Sequence, residues 1–259
     1  MATYLDALGE FHRRRAAADD RDWRARLDSL VPAGPSLEAA LRSDPSHVAV
    51  IAEVKRKSPS KGWLAATLDA AAIARQYESA GATAISVLTD TENFGGSLDD
   101  LRAVSAAVTV PRLRKDFTVC ENDVLDAVDA GAGGVLLIVA LLSDDELKRY
   151  FQLATRVGVD VLVEVHDASE VTRARAIGAR VIGINQRDLH SFHVDTERAA
   201  RLAASLPEDV VRVCESGLAN RSDVERAAAA GFHAVLVGEA FVTNVDPAAV
   251  VREFASVAR

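Results

Sequence analysis

Eight short runs rich in Val, Ile and Leu, separated by Ala-rich segments of helical spacing, predict an α/β protein built as a single (β/α)8 TIM barrel with an N-terminal helical extension. The runs are continuously apolar rather than alternating, which is the pattern of parallel strands buried on both faces. Helices between successive strands supply the long crossovers that parallel pairing needs. An open doubly wound sheet is the competing arrangement, but it normally carries a glycine-rich dinucleotide loop after its first strand, and no GxGxxG occurs here.

Taken in order, the elements begin with Tyr4, Leu8 and Phe11, then Trp23, Leu27 and Leu30, which recur at helical spacing. Residues 1–47 are therefore expected to form helices capping one barrel end, broken by Pro32 and Pro35. Strands are expected at 48–54, 83–88, 110–115, 134–138, 160–164, 180–184, 210–215 and 233–237, each of ordinary strand length. Between them, helices are expected at segments such as 70–79, 145–156, 169–177 and 221–230. Gly81, Gly131 and Gly178 close helical segments, because glycine enters the left-handed conformation that ends a helix at little cost. No long polar linker marks a second unit, so residues 1–259 are expected to be one domain.

A composition of 49% hydrophobic and 26% charged residues excludes disordered and low-complexity classes. The formal net charge of -8 argues against nucleic acid or an anionic membrane as partner, so an anionic ligand needs a local cationic site. Two cysteines, Cys120 and Cys214, form neither a disulfide framework nor a CxxC pair, which points to a reducing, cytoplasmic setting. The longest uncharged apolar stretch, 130–142, contains three glycines and falls short of the ~18 residues of a membrane span. Asp6 and Glu10 interrupt any signal-peptide core, and the arginines at 13–15 fit a solvated helix face.

In such a barrel, catalytic groups come from the C-terminal strand ends and the loops that follow. Glu53 and Lys55 lie two apart at the end of the first strand, so both face the expected mouth. Lys115-Asp116 ends the third strand, Glu164 the fifth and Glu215-Ser216 the seventh, while the sixth leads into Asn185 and Arg187. Charged groups at so many strand ends suggest a site rather than scattered salt bridges. Ser216-Gly217 and Gly238-Glu239 place small residues where barrels often bind phosphate through backbone N–H groups. The segment 55–62 concentrates positive charge and is expected to face an anion. His166 is expected to hydrogen-bond near Glu164 or to be a plain loop histidine, Cys120 to be a loop thiol and Cys214 a packing residue. His190 and His193 lack a third ligand at supporting spacing, so no zinc site is expected.

Five ordered blocks carry a resemblance: AEVKRKSPSKG at 52–62, LRKDF at 113–117, VEVH at 163–166, GINQRDL at 183–189 and ESG at 215–217. Together they resemble the indole-3-glycerol phosphate synthase family over nearly the whole chain. The resemblance implies ring closure of 1-(2-carboxyphenylamino)-1-deoxyribulose 5-phosphate with loss of carbon dioxide and water, in tryptophan biosynthesis, with no metal and no organic cofactor. It implies a small phosphorylated substrate and leaves protein partners unspecified. It makes Lys115 the general acid and Glu164 the general base, with Lys55 and Asn185 holding the anthranilate carboxylate. Glu53 and Glu215 would assist proton transfer, and Ser58, Arg187, Ser216, Gly217, Gly238 and Glu239 would bind phosphate or complete the shell.

Ring closure needs an acid, a base and a cation for the leaving carboxylate, and lysines and glutamates supply all three. Whether Lys55 or Lys115 gives the first proton stays open at this level. The chain departs from the family at 120–124, where a Tyr-Gln pair is common, and at Glu239, where a small residue is common and only the backbone N–H would serve a phosphate. Two rivals remain: a sugar-phosphate isomerase on the same barrel, whose Cys or Asp acid/base pair fits Lys115 and Glu164 poorly, and a non-catalytic binding paralogue, which would have lost Lys115, Glu164 or Glu53.

Overall fold

The structure, a computed structural model, describes residues 4–30, 33–59, 61–187 and 194–259. Eight parallel strands close into a barrel: β1 (Ala49–Val54), β2 (Ala84–Leu88), β3 (Arg112–Lys115), β4 (Gly134–Ile138), β5 (Asp160–Val165), β6 (Val181–Asn185), β7 (Val211–Glu215) and β8 (Ala234–Val237). Each strand pairs with its neighbours in sequence, and β1 closes the ring between β2 and β8, with Ile51 level with Ala84 and Leu236. The strand boundaries lie within two residues of the expected ones. The third strand starts late because Pro111 has no N–H for the ladder; it only accepts, from Ile85 N at 2.9 Å.

Alternation along each strand separates two cores. Inward residues such as Ile51, Ala84, Leu113, Leu136, Leu162, Val213 and Leu236 fill the barrel. Outward residues such as Val50, Ala52, Val87, Val135, Val163 and Ile182 pack on the surrounding helices, where Tyr77, Phe241 and Phe254 form an aromatic cluster with centroids 5.4–5.6 Å apart. Because the period of two continues to the strand ends, Glu53, Lys115, Glu164, Asn185 and Glu215 occupy the inward layer above the apolar ones.

The N-terminal extension consists of α1 (Tyr4–Ala17), α2 (Trp23–Leu27) and α3 (Leu37–Leu41), and it reaches both barrel ends rather than one. Leu5 and Leu8 of α1 pack in the interior cluster at the mouth, alongside Phe117 and Ile138. Leu37 of α3 lies against Gly134 at the opposite end, where Asp160 at the start of β5 accepts from Ser36 Oγ at 2.6 Å and Glu38 N at 2.8 Å. Between these ends, Arg21 and Arg26 run along α7 (Glu121–Asp129), pairing with Asp126 at 2.8 and 2.7 Å. Two apolar stripes of similar spacing thus meet opposite ends of one barrel, a difference that helical periodicity does not encode. Among the described residues no helix is long and apolar enough to cross a membrane.

Candidate active site

The C-terminal strand ends surround a cavity of about 540 Å³, within the range of small-molecule sites. The twelve residues given catalytic or substrate-binding roles by the resemblance line it: Glu53, Lys55, Ser58, Lys115, Glu164, Asn185, Arg187, Glu215, Ser216, Gly217, Gly238 and Glu239. The cavity also takes in Leu5 and Leu8 from α1, Asp90 and Phe94 after β2, and Asp116 and Phe117 after β3. Leu5 and Leu8 were not foreseen as site residues, because their pattern shows only that one helix face is apolar.

At the centre, Lys115 Nζ stands 3.4 Å from Glu164 Oε2 and 3.5 Å from Glu215 Oε2, with both carboxyl groups buried. Burial alone would depress the lysine pKa, but Glu164, Glu215 and Glu53 more than reverse this and hold it well above the usual lysine value. For Glu164, burial is outweighed by Lys115, His166 and Asn185, so its pKa lies well below the carboxylate norm and it is ionised. Glu215 goes the other way: burial and the Glu164 charge outweigh Lys115 and push it up to about 8. Among the described residues its Oε1 has no hydrogen-bond partner. The two neighbouring carboxyl groups are thus driven in opposite directions, and such divergence marks acid and base roles.

Glycines make room for this arrangement. A Cβ at Gly183 would lie 1.9 Å from Glu215 Oε1, and one at Gly238 would lie 2.6 Å from Glu53 Oε1. Gly183 is a residue that sequence reasoning overlooked as part of the site; a glycine inside a buried strand was the available signal. Asn185 Nδ2 donates to Glu164 Oε1 at 3.1 Å and its Oδ1 accepts from Arg187 N at 3.0 Å, so the amide orients the carboxylate. Lys55 Nζ lies 3.0 Å from Glu53 Oε1, and Lys55 and Lys115 together outweigh burial and lower the Glu53 pKa.

The anion-facing expectation for the segment 55–62 needs correction. Arg56 forms a bidentate pair with Asp100 at 2.7 Å, Lys57 Nζ donates to the Glu92 carbonyl at 3.0 Å, and Lys61 pairs with Glu239. Arg56 and Lys61 are neutralised by carboxylates distant in sequence and Lys57 is tied to a backbone carbonyl, so among the described residues Lys55, Ser58 and Pro59 are what this segment offers the cavity. The Glu239 side chain turns to Lys61. Ser216 and Gly217 both adopt positive φ, 67° and 70°, and the Ser216 carbonyl accepts from Gln186 Nε2 at 2.8 Å. Two successive residues of positive φ make a tight turn beside the cavity.

Two cation-binding possibilities stand apart. His190 and His193 lie outside the described residues. His12, Asp90 and Asp116 bring ligand atoms within 4.8 Å of one another, but His12 Nε2 is on Asp90 at 3.0 Å while Asp116 is held by Arg114 at 2.8 Å and by Thr89. This group fastens α1 to the mouth.

The family model described as indole-3-glycerol phosphate synthase matches residues 7–254. Among curated proteins, the chain is 51% identical to an indole-3-glycerol phosphate synthase of Micrococcus luteus over 236 residues, covering 89% of this chain and 88% of that one. It is 48% identical to one of Nocardioides sp. over 247 residues, covering 94% and 93%. Among solved structures, a thiamine phosphate pyrophosphorylase from Pyrococcus furiosus shares the fold with a TM-score of 0.61 at 16% identity, covering 85% of this chain and 96% of that one.

Proposed function

Since the chain belongs to the indole-3-glycerol phosphate synthase family and closes the ring of 1-(2-carboxyphenylamino)-1-deoxyribulose 5-phosphate to give indole-3-glycerol phosphate, we propose that Lys115 and Glu164 are its acid and base. The reaction loses carbon dioxide and water and belongs to tryptophan biosynthesis. The observation that carries the assignment is the Lys115 ammonium 3.4–3.5 Å from both Glu164 and Glu215 on the cavity floor.

The ring carbon bearing the carboxylate attacks the ketone carbon, and the ketone oxygen becomes an alkoxide that needs a proton. Lys115, charged at every pH of interest, gives that proton because a developing alkoxide is more basic than any amine. Carbon dioxide then leaves with its bond electrons returned to the ring. Dehydration needs a base for the proton on the neighbouring carbon and an acid for the departing hydroxyl. Glu164, ionised, takes the former, and Glu215, whose pKa is raised by burial and the Glu164 charge, supports the latter. Lys55 offers the cation for the substrate carboxylate, with Glu53 and Asn185 keeping the ammonium and carboxylate groups in register.

The phosphate is assigned to the turn at Ser216 and Gly217, the backbone at Gly238 and Glu239, and Ser58 with Arg187. We further take residues 1–259 as one unit, with 1–47 as its extension. The two free cysteines favour the cytoplasm. No nucleic-acid partner is proposed, given the net charge of -8. The test is the growth of indole fluorescence when purified protein meets the carboxyphenylamino substrate, compared with Lys115→Met and Glu164→Gln. Wild-type rates in both variants would overturn the assignment.

A further inference from the structure

We propose that His166 is a positioning residue that keeps Glu164 ionised and oriented while Lys115 gives up its proton. This rests on the reading of Glu164 as base. His166 follows Glu164 by two residues, in the bend just past the end of β5, and its ring lies beside the Glu164 carboxylate. Its Nε2 lies 3.3 Å from Glu164 Oε1, an ion-pair contact without hydrogen-bond alignment, on the oxygen opposite the one facing Lys115. The ring is anchored from the far side by Glu170, whose Oε2 accepts the His166 backbone N–H at 2.7 Å and faces Nδ1 at 3.1 Å. Glu170 is itself fixed in the first turn of α9 (Ala168–Ala176), where its N–H donates to the cap residue Asp167 at 2.9 Å.

The geometry decides the charge of the ring. With carboxylates against both nitrogens, a neutral tautomer would aim a lone pair at one of them, so only the imidazolium fits both. The ring is 12% exposed, and burial, which would depress it, is outweighed by Glu164 and Glu170, pushing the pKa up to about 10. The charged groups around it are Glu164, Glu170, Asp167 and Glu215, with Lys115 beyond Glu164. His166 does not line the cavity and so acts through Glu164.

The consequence concerns a moment in the cycle. When Lys115 protonates the substrate oxygen, Glu164 loses the cation on Oε2 and its pKa climbs; the cation on Oε1 limits the climb, so the base is still ionised near neutral pH for dehydration. The experiment is the pH dependence of kcat and KM for His166→Ala, His166→Gln and Glu170→Gln, with circular dichroism to verify folding. The acid limb of kcat should move up by about one pH unit in both His166 variants, since a neighbouring cation lowers a carboxyl pKa by about that much or more.

At neutral pH, His166→Ala should lower kcat by roughly tenfold with KM within about twofold, and His166→Gln should recover part of it because its amide restores a donor without the charge. Glu170→Gln, which keeps the ring, should move the limb in the same direction by less. An unmoved limb with kcat reduced equally at all pH values, or a raised KM with kcat unchanged, would overturn the proposal. Glu164→Gln separates the two readings. If it retains the wild-type acid limb, Glu164 is not the base. If it abolishes the limb while the His166 variants leave theirs in place, the proposal about His166 alone fails.

Discussion

Replacing Lys115 by Met deletes the ammonium and keeps an unbranched stem at the end of β3. At 3.4 Å, the contact with the ionised Glu164 corresponds to ~5 kcal/mol of Coulomb energy at an effective dielectric of ~20, most of which desolvation offsets. Removing one member of a buried pair costs about 3–5 kcal/mol, because the remaining carboxylate stays buried. At roughly 2–4 °C per kcal/mol for a chain of this size, the melting temperature of Lys115→Met should fall by on the order of 10 °C near pH 8.

The loss should shrink toward pH 5. In the wild type, Glu164 has a depressed pKa, so its stabilising contribution is present above the unfolded value and disappears as pH falls. In the variant, the His166 cation alone opposes burial, so the Glu164 pKa rises above its unfolded value while staying below neutrality, and stability is lost as pH rises through that range. Above the unfolded carboxyl value the wild-type contribution is constant, so between pH 5 and 8 the gap widens through the variant's loss alone. Turnover should drop by ~10²- to 10⁴-fold, the usual contribution of a positioned proton donor. Thermal melts at pH 5 and 8 with indole fluorescence rates test both. Turnover within a few-fold of wild type, or a melting difference independent of pH, would refute the reasoning.

Other consequences follow from single contacts. Lys55→Ala should weaken binding of the full substrate more than that of a bare sugar phosphate, while Ser58→Ala should weaken both; calorimetry giving equal losses for the two ligands in Lys55→Ala would remove its carboxylate role. Gly183→Ala puts a Cβ 1.9 Å from Glu215 Oε1 and should cost ~1–3 kcal/mol, relieved when Glu215→Ala is added, and an unchanged melting temperature would contradict that packing. Glu215, with its pKa raised to about 8, stabilises the fold least once deprotonated, so the stability of Glu215→Gln relative to wild type should rise between about pH 5 and 8 in denaturant titrations; a flat difference would show that Glu215 is not held protonated.

Much of this site was legible because barrel strands impose a strict period of two. Glu53 and Lys55 could be assigned to one face from their spacing, and Lys115, Glu164, Asn185 and Glu215 from their places at strand ends. Contacts between distant segments were not legible. The pairing of Arg56 with Asp100 and of Lys61 with Glu239 crosses from one loop to another, so a run that is basic in sequence is largely neutralised in space. The division of α1 and α3 between opposite barrel ends likewise depends on the path along α7, set by Arg21 and Arg26. His166 could be placed near Glu164, but its second carboxylate, Glu170, becomes a partner only through the turn into α9.

The most direct test of the acid/base assignment is Glu164→Gln measured twice on the same preparation: substrate affinity by titration and turnover by indole fluorescence. Gln keeps the size of the side chain and an oxygen for Asn185 Nδ2, now 3.1 Å from Glu164 Oε1, but accepts no proton in catalysis. The expected result is affinity within a few-fold of wild type and turnover reduced by ~10²- to 10⁴-fold. Collapsed affinity with high residual turnover would instead make Glu164 a binding residue and contradict the account.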